Sequence, residues 1–390
     1  MNFLIQIPGL IFGGAEKVLV SFANDLVSRG HEVEILETYE KGYLKPQFDP
    51  RVTFHTICSG EYTRKYYASL DDIRHTKRME KFPKLYKLAF SKIVGYRRFA
   101  EKLAAKHYRG KTFDCAINYL EIDSPEFLLN HIRAKKYIQW YHTDVANIDD
   151  PEHTDALIPS CAKMDAIICV AQSAKENFVA RYPQLTEKTH VIYNFFDTEA
   201  IRRMAEEPFS YHDNRFILLS VGRMTPPKKY LRFLNVLSRL KADGYSFVWH
   251  VLGTGAEQNA IIEKIHALDL DDCVSLDGVT DNPYKYMKNC GLFVLPSGWE
   301  GFPTVTVEAK VLGCAVLATD VSGIREQITH GVNGWICGNS EAEIETALRM
   351  LLDDANLIAQ LKNTENPAGI FDNQRKYEEF LRLLEVSDGE

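Results

Sequence analysis

Short runs of apolar, β-branched residues recur along the chain, each followed by a helix-length amphipathic stretch. Residues 3–7, 32–36, 52–57, 115–119, 137–141, 166–171 and 190–193 form one series of predicted strands, and 216–221, 247–252, 274–276, 292–295 and 315–318 form a second. Strands without a polar face that alternate with helices belong to parallel sheets covered on both sides. Two such series predict two doubly wound α/β domains. Polar residues and Pro208 interrupt the pattern over 197–214, which places the break there. After Pro367 comes an irregular stretch and then a last helix, predicted over about 373–384. The division expected is 1–200, 201–366 and a terminal segment 367–390.

Composition agrees with this picture. The 390 residues suit two domains of roughly 150–200 residues each. Apolar residues at 45% and charged residues at 25% exclude a disordered chain, a collagen-like fibre and a multi-span membrane protein. No run reaches the ~18 uninterrupted apolar residues of a transmembrane helix. The start, Met1-Asn2-Phe3-Leu4-Ile5-Gln6-Ile7-Pro8, has neither a basic leader nor a long apolar segment, so no signal peptide is expected. The cysteines at 58, 115, 161, 169, 273, 290, 314 and 337 are scattered without a C-x-x-C pair. Buried thiols in a reducing cytoplasm are expected, not disulfides or zinc.

The net charge of −7 is unevenly spread. Residues 63–111 carry 15 Lys and Arg against 4 Asp and Glu, a net of +11, which leaves −18 on the remainder. A basic block in an acidic protein points to an anionic partner at that place. From Pro83 the pattern predicts a helix with Leu85, Ala89, Ile93, Tyr96, Ala100 and Leu103 on one stripe. Lys87, Arg98, Lys102, Lys106 and Arg109 gather on another. Tyr62, Tyr66, Tyr67, Tyr86, Tyr96 and Tyr108 add aromatics suited to an interface. An anionic membrane surface or a polyprenyl diphosphate fits these cations. Nucleic acid does not, since no recognition module accompanies the charge.

The richest chemistry lies in Pro296-Ser297-Gly298-Trp299-Glu300-Gly301-Phe302-Pro303-Thr304-Val305-Thr306-Val307-Glu308. A strand ends, a turn follows and a helix opens near Thr304, which leaves backbone N–H groups free for a phosphate. Glu300 in the loop and Glu308 one turn inside the helix could grip hydroxyls of two sugar rings flanking a diphosphate. Alone, such a pair would more readily be a helix cap and a solvated face residue. Upstream, Gly222-Arg223-Met224-Thr225-Pro226-Pro227-Lys228-Lys229 again follows a strand, and Arg223 with Lys228 could neutralise a diphosphate without a metal. Asp269-Leu270-Asp271 spells a D-x-D, but it reads as a solvated turn, and Gly253-Thr254-Gly255 lacks the third glycine of a dinucleotide fingerprint.

Taken together, Glu300 through Glu308, Gly222-Arg223 with Lys228, Leu252-Gly253-Thr254-Gly255-Ala256-Glu257 and Gly331-Val332-Asn333-Gly334-Trp335 resemble the donor domain of glycosyltransferase family 4. Gly13-Gly14-Ala15-Glu16-Lys17-Val18 resembles that family's first loop. The resemblance spans nearly the whole chain and is clearest over 215–340. It implies a GT-B fold, two Rossmann-like domains facing a cleft, with the C-terminal helix crossing back to the first domain. It also implies retaining transfer of a hexose or N-acetylhexosamine from a nucleotide sugar, UDP-linked in most members, to a lipid-linked or growing surface glycan. No cofactor or metal is expected, and the implied location is cytoplasmic, peripheral at the membrane.

Carried over by position, Glu300, His142, Arg223 and Lys228 would form the catalytic set. Arg223 and Lys228 would hold the donor diphosphate, Glu300 the transferred sugar and Glu308 the ribose. The amides around Phe302, Thr304 and Val305 would bind phosphate oxygens, and Gly13 and Gly14 would let the first loop approach the donor. Two positions depart from the family pattern: Lys229 stands where glycine is usual, and Pro303 where glycine is frequent. The competing expectations are a GT-B phosphorylase or epimerase, and a non-catalytic partner of another transferase.

Overall fold

The computed structural model describes residues 1–11, 13–40, 42–58, 96–148, 151–362 and 369–385, with 96–99 as backbone alone. Parallel strands β1 (Asn2–Ile7), β2 (Glu32–Tyr39), β3 (Thr53–Cys58), β4 (Phe113–Asn118), β5 (Ala134–Tyr141), β6 (Ala166–Cys169) and β7 (Thr189–Val191) make one sheet. Their order is β3-β2-β1-β4-β5-β6-β7. Strands β8 (Phe216–Val221), β9 (Phe247–Leu252), β10 (Val274–Gly278), β11 (Leu292–Leu295), β12 (Val316–Thr319) and β13 (Trp335–Cys337) make a second parallel sheet. Its order is β10-β9-β8-β11-β12-β13.

The first strand of each series lies inside its sheet, so the order reverses between β1 and β4 and again between β8 and β11. Ligands of doubly wound sheets bind at the carboxyl ends of strands beside such a reversal. The loops after β1, β4, β5, β8 and β11 therefore define where chemistry can occur. Helices cover both faces of each sheet, and Phe3, Leu4, Ile5 and Ile7 of β1 are all fully buried.

Each predicted strand has its counterpart, and all eight cysteines are free and buried. The pattern misses β13, whose three residues are too few to show a period. The 197–214 break contains a helix, Thr198–Ala205, capped by the Asp197 carboxylate, which accepts the Ala200 N–H at 2.8 Å. That helix packs on two helices of the second half, Tyr284–Asn289 and Thr304–Val311.

The basic helix needs a correction. Its described part, Tyr96–His107, packs on edge strand β3. Ala100, Ala104 and Tyr108 face the core, while Leu103 is 38% exposed between the exposed Lys102 and Lys106. Two alanines one turn apart let this helix approach β3 closely, and that sets the buried face away from Leu103. Tyr108 is no interface aromatic either: it is buried and donates to Glu34 Oε1 at 2.9 Å. Arg109 is exposed, whereas Lys87 and the side chain of Arg98 lie outside the described residues.

The last helix, Asn373–Leu384, crosses to the first sheet. Fully buried Phe380 sits edge-on to Phe22 at 5.3 Å and near Phe3 at 5.9 Å and Trp140 at 6.2 Å. Lys376 donates to the Asn194 carbonyl at 2.7 Å, and burial lowers its pKa to about 7. Truncating such a core aromatic typically costs about 3–5 kcal/mol. Phe380→Ala should therefore show a loss of that order in urea denaturation, and a loss below about 1 kcal/mol would mean the helix is peripheral to the fold.

Candidate active site

Two loops of the second sheet meet first. After β8, Pro226–Lys228 forms one 3-10 turn, favoured because proline presets φ at its first positions. Lys229 then takes a left-handed conformation, φ 53°, and turns the chain into helix Tyr230–Ala242. Such a backbone costs a non-glycine residue about 1 kcal/mol or more, which explains why glycine suits this position. The Lys229 ammonium lies 4.8 Å from the centre of the Trp299 ring. Gly298 N–H donates to the Pro227 carbonyl at 2.7 Å and ties the loop after β11 to the loop after β8. Lys228 Nζ then reaches Glu300 Oε1 at 2.6 Å, and Ser297 Oγ donates to the same oxygen at 2.6 Å.

Helix Thr304–Val311 starts at Pro303, and no side chain caps it. The first N–H groups of a helix have no partner within it, so this end suits an anion. Glu308 lies on its buried face, 4% exposed. Tyr284 OH donates to Glu308 Oε1 at 3.3 Å, but Oε2 is sealed from solvent without a partner. Burial raises the Glu308 pKa, and the Lys17 ammonium and the Tyr284 hydroxyl oppose that rise. A buried carboxylate oxygen without a donor is costly, and a hydroxyl-bearing ligand would satisfy it.

The first domain supplies the opposite wall. Gly14, opening helix Gly14–Ser28, lies so near Thr304 that a Cβ there would come 2.8 Å from Thr304 Oγ1. At Gly301 any Cβ would overlap the His142 carbonyl oxygen. The His142 backbone N–H donates to Glu121 Oε2 at 3.0 Å, and its ring stands 4.6 Å from that of Tyr119. His142 Nε2 is shut from solvent without a partner, and burial lowers the ring's pKa to about 3. A neutral imidazole there can exchange a hydrogen bond with a hydroxyl but brings no charge.

The structure thus brings Gly14 to Thr304, Gly301 to His142 and Lys228 to Glu300. Val305 is half-buried, Phe302 is buried beside Tyr193 at 5.6 Å, and Arg223 is exposed. Glu16 was not singled out by the sequence beyond its place in the Gly-Gly-Ala-Glu box. Its carboxylate is buried against Gly13, burial raises its pKa, and a backbone N–H and the Arg223 guanidinium oppose that rise. Lys102, Lys106 and Arg109 lie apart from this cleft, by edge strand β3. Asp269 and Asp271 stand in an exposed turn, with Asp271 bonded to His266 at 2.5 Å. Among the described residues no three His, Cys, Asp or Glu side chains gather as metal ligands would.

Comparison with known proteins matches the chain to a family. The model for glycosyl transferases group 1 matches residues 204–366, and that for Glycosyltransferase Family 4 matches 12–200. The chain belongs to the group 1/family 4 glycosyltransferases. This glycosyltransferase is 31% identical over 225 residues to the N-acetylgalactosamine-N,N'-diacetylbacillosaminyl-diphospho-undecaprenol 4-alpha-N-acetylgalactosaminyltransferase of Campylobacter jejuni. That alignment spans 57% of this chain and 60% of the relative, less than two thirds of the relative's length. An uncharacterized glycosyltransferase of Haemophilus influenzae is 24% identical over 361 residues, 90% of each chain. The crystal structure of Anabaena HepE with UDP-glucose superposes with a TM-score of 0.72 at 18% identity, over 98% of this chain and 100% of that one, and establishes the shared GT-B fold.

The sealed imidazole of His142 has a consequence for acid stability. The unfolded ring takes up a proton below about pH 6.5, whereas the folded ring stays neutral down to about 3. The unfolded state therefore binds more protons in that window, and stability falls as the pH is lowered through it. Urea denaturation should give the wild type a steeper loss than His142→Gln between these pH values. Equal slopes would mean that the folded ring titrates freely.

Proposed function

We propose that this protein transfers a hexose or N-acetylhexosamine, with retention, from a UDP-sugar to a hydroxyl of a lipid-linked or growing surface glycan. The observation that carries the reading is the pairing of Lys228 with Glu300 beside the uncapped helix that holds the half-satisfied Glu308. The names of the relatives support the finer terms: a diphospho-undecaprenol substrate in the Campylobacter protein and UDP-glucose in HepE.

The chain's own groups account for the chemistry. Breaking the bond between sugar and diphosphate leaves two negative phosphates. Arg223, Lys228 and the N–H groups at Phe302, Thr304 and Val305 stabilise that charge as it develops. Both charges come from side chains, so the reading needs no metal. Glu308 takes the ribose hydroxyls, and its unpartnered Oε2 becomes an acceptor for one of them. Glu300 holds the transferred sugar through Oε2, since Lys228 and Ser297 both engage Oε1. Neutral His142 meets a sugar hydroxyl from the opposite wall. With Glu300 paired in this way, retention follows from attack on the face the leaving phosphate vacates, the phosphate taking the acceptor's proton.

The acceptor side belongs to the first domain, where Ile122 and Tyr43, 63% and 68% exposed, stand in the loops after β4 and β2. Exposed Lys102, Lys106 and Arg109 flank that domain and suit an anionic membrane surface beneath a lipid-linked acceptor. Among the described residues no helix is long and apolar enough to cross a membrane.

Thermal denaturation with UDP-, GDP- and ADP-sugars, each with and without EDTA, tests the donor. A ligand at about 100 times its dissociation constant adds about 2.7 kcal/mol. A shift with UDP-sugars that EDTA leaves unchanged is expected; no shift with any nucleotide would favour a non-catalytic partner. Lys228→Ala and Glu300→Gln should each lower turnover at least tenfold, about 1.4 kcal/mol of transition-state stabilisation. Wild-type rates in the folded double variant would remove both residues from the mechanism.

A further inference from the structure

The two domains are joined in the cleft by a carboxylate that no sequence motif announces. Glu326 lies on the short helix Ile324–Gln327, after β12 in the second domain. Its side chain crosses to the first domain and meets helix Gln172–Arg181 at its N-terminus. Glu326 Oε2 accepts the Gln172 N–H at 2.8 Å and the Tyr193 hydroxyl at 2.8 Å. Oε1 accepts the Ser173 N–H at 3.0 Å and the Ser173 hydroxyl at 2.9 Å. The helix's own N-cap residue, Ala171, has no side chain that could cap it. A helix normally draws its cap from its own Ser, Thr, Asp or Asn. Here the cap, and a negative charge on the positive helix end, come from the other domain.

The contact extends to the donor loop. Gly323 N–H donates to Ser173 Oγ at 3.0 Å, and Ser322 Oγ lies 2.9 Å from the same oxygen. Gly323 has φ 75° and sits against Phe302, whose Cδ2 a Cβ would approach at 2.8 Å. Phe302 follows Gly301, which rests on His142. One continuous set of contacts therefore runs from helix Gln172–Arg181 through Glu326 and Gly323 to the loop that carries Glu300. None of these groups duplicates a donor-binding side chain: Arg223, Lys228 and Glu308 lie elsewhere on the second domain.

We propose that Glu326 is a positioning residue that holds the two domains closed, so that opening of the cleft requires uncapping of helix Gln172–Arg181. This rests on the transferase reading for its functional consequence, but the closure itself does not. In an open form, two backbone N–H groups and two hydroxyls lose a charged acceptor, and water must replace it. Closure matters because Gly14 and His142 reach the donor site only when the domains meet.

The test compares wild type with Glu326→Ala, and with Ser173→Ala/Tyr193→Phe, which keeps the carboxylate and removes two of its donors. Three quantities are read: the radius of gyration without ligand by small-angle scattering, UDP affinity by calorimetry, and the rate of UDP release from UDP-sugar. Glu326→Ala should be more extended than wild type, release UDP about tenfold more slowly, within the range of coupling between distant sites, and keep a UDP affinity close to wild type. The double variant should move the same way to a smaller degree, and it decides the question if Glu326→Ala does not fold. Unchanged dimensions and rate in a folded variant would overturn the latch. Equal loss of UDP affinity and rate would also overturn it, since that places Glu326 in donor binding. Absence of UDP binding to wild type would instead sink the donor reading, leaving the scattering to judge closure alone.

Discussion

Parallel strands cannot be joined by tight turns, because each must return to the same edge of the sheet before the next begins. Everything else in this protein follows from that. Every strand of both sheets runs parallel, so most crossovers run through a covering helix, and the central strands β1 and β8 are buried on two faces. All loops after the strands leave from one edge of each sheet, and the reversal of strand order beside β1 and β8 opens a crevice there. Strands do carry charged residues, such as Glu34 and Glu37 of β2 and Asp114 of β4, but Arg223, Lys228, Glu300 and His142 all stand in the loops beyond strand ends.

Burial of charge separates structural from chemical groups. Lys310 is almost fully buried, and burial lowers its pKa to about 8, but its ammonium meets the carbonyls of Asn333, Cys314 and Leu361. Lys376 likewise meets Asn194 O and Asn373 Oδ1. Both ammonium groups tie down distant segments of the chain's own backbone. Glu308 and His142 are buried as well, yet each keeps a sealed polar atom without a partner. Seven other described residues, Gln6 and Glu37 among them, share that feature, so position sets these two apart: Glu308 lies on the helix that opens at Thr304, and the His142 carbonyl faces Gly301 across the domains.

The cleft is narrow because glycine lines it. At Gly301 the second domain's backbone touches that of the first at His142, and at Gly14 the first domain's loop meets Thr304. Any side chain at Gly301 would force the walls apart by displacing a carbonyl that belongs to the other domain. The Glu326 cap acts on the same interface from farther along the chain, so shape and charge both favour the closed arrangement.

The fold class, nearly all strands, the helix opening at Thr304 and the helix Asn373–Leu384 were legible in the sequence, since each follows from local periodicity and turn chemistry. Strand-loop-helix order also put Lys228, Glu300 and Glu308 near strand ends, but only the family resemblance made them candidates for one site. The sequence could not orient the basic helix: Leu103 looked like a core residue until two alanines decided the contact with β3. It could not show that Phe380 belongs to the first domain's core, that Glu16 faces Arg223, or that Glu326 caps a helix more than 150 residues away. Those facts depend on which surfaces meet after folding. Local pattern determined the elements and the edge on which chemistry sits; only tertiary packing decided which buried polar atoms kept partners and which were left for a ligand, because burial and pairing are properties of neighbours distant in the chain.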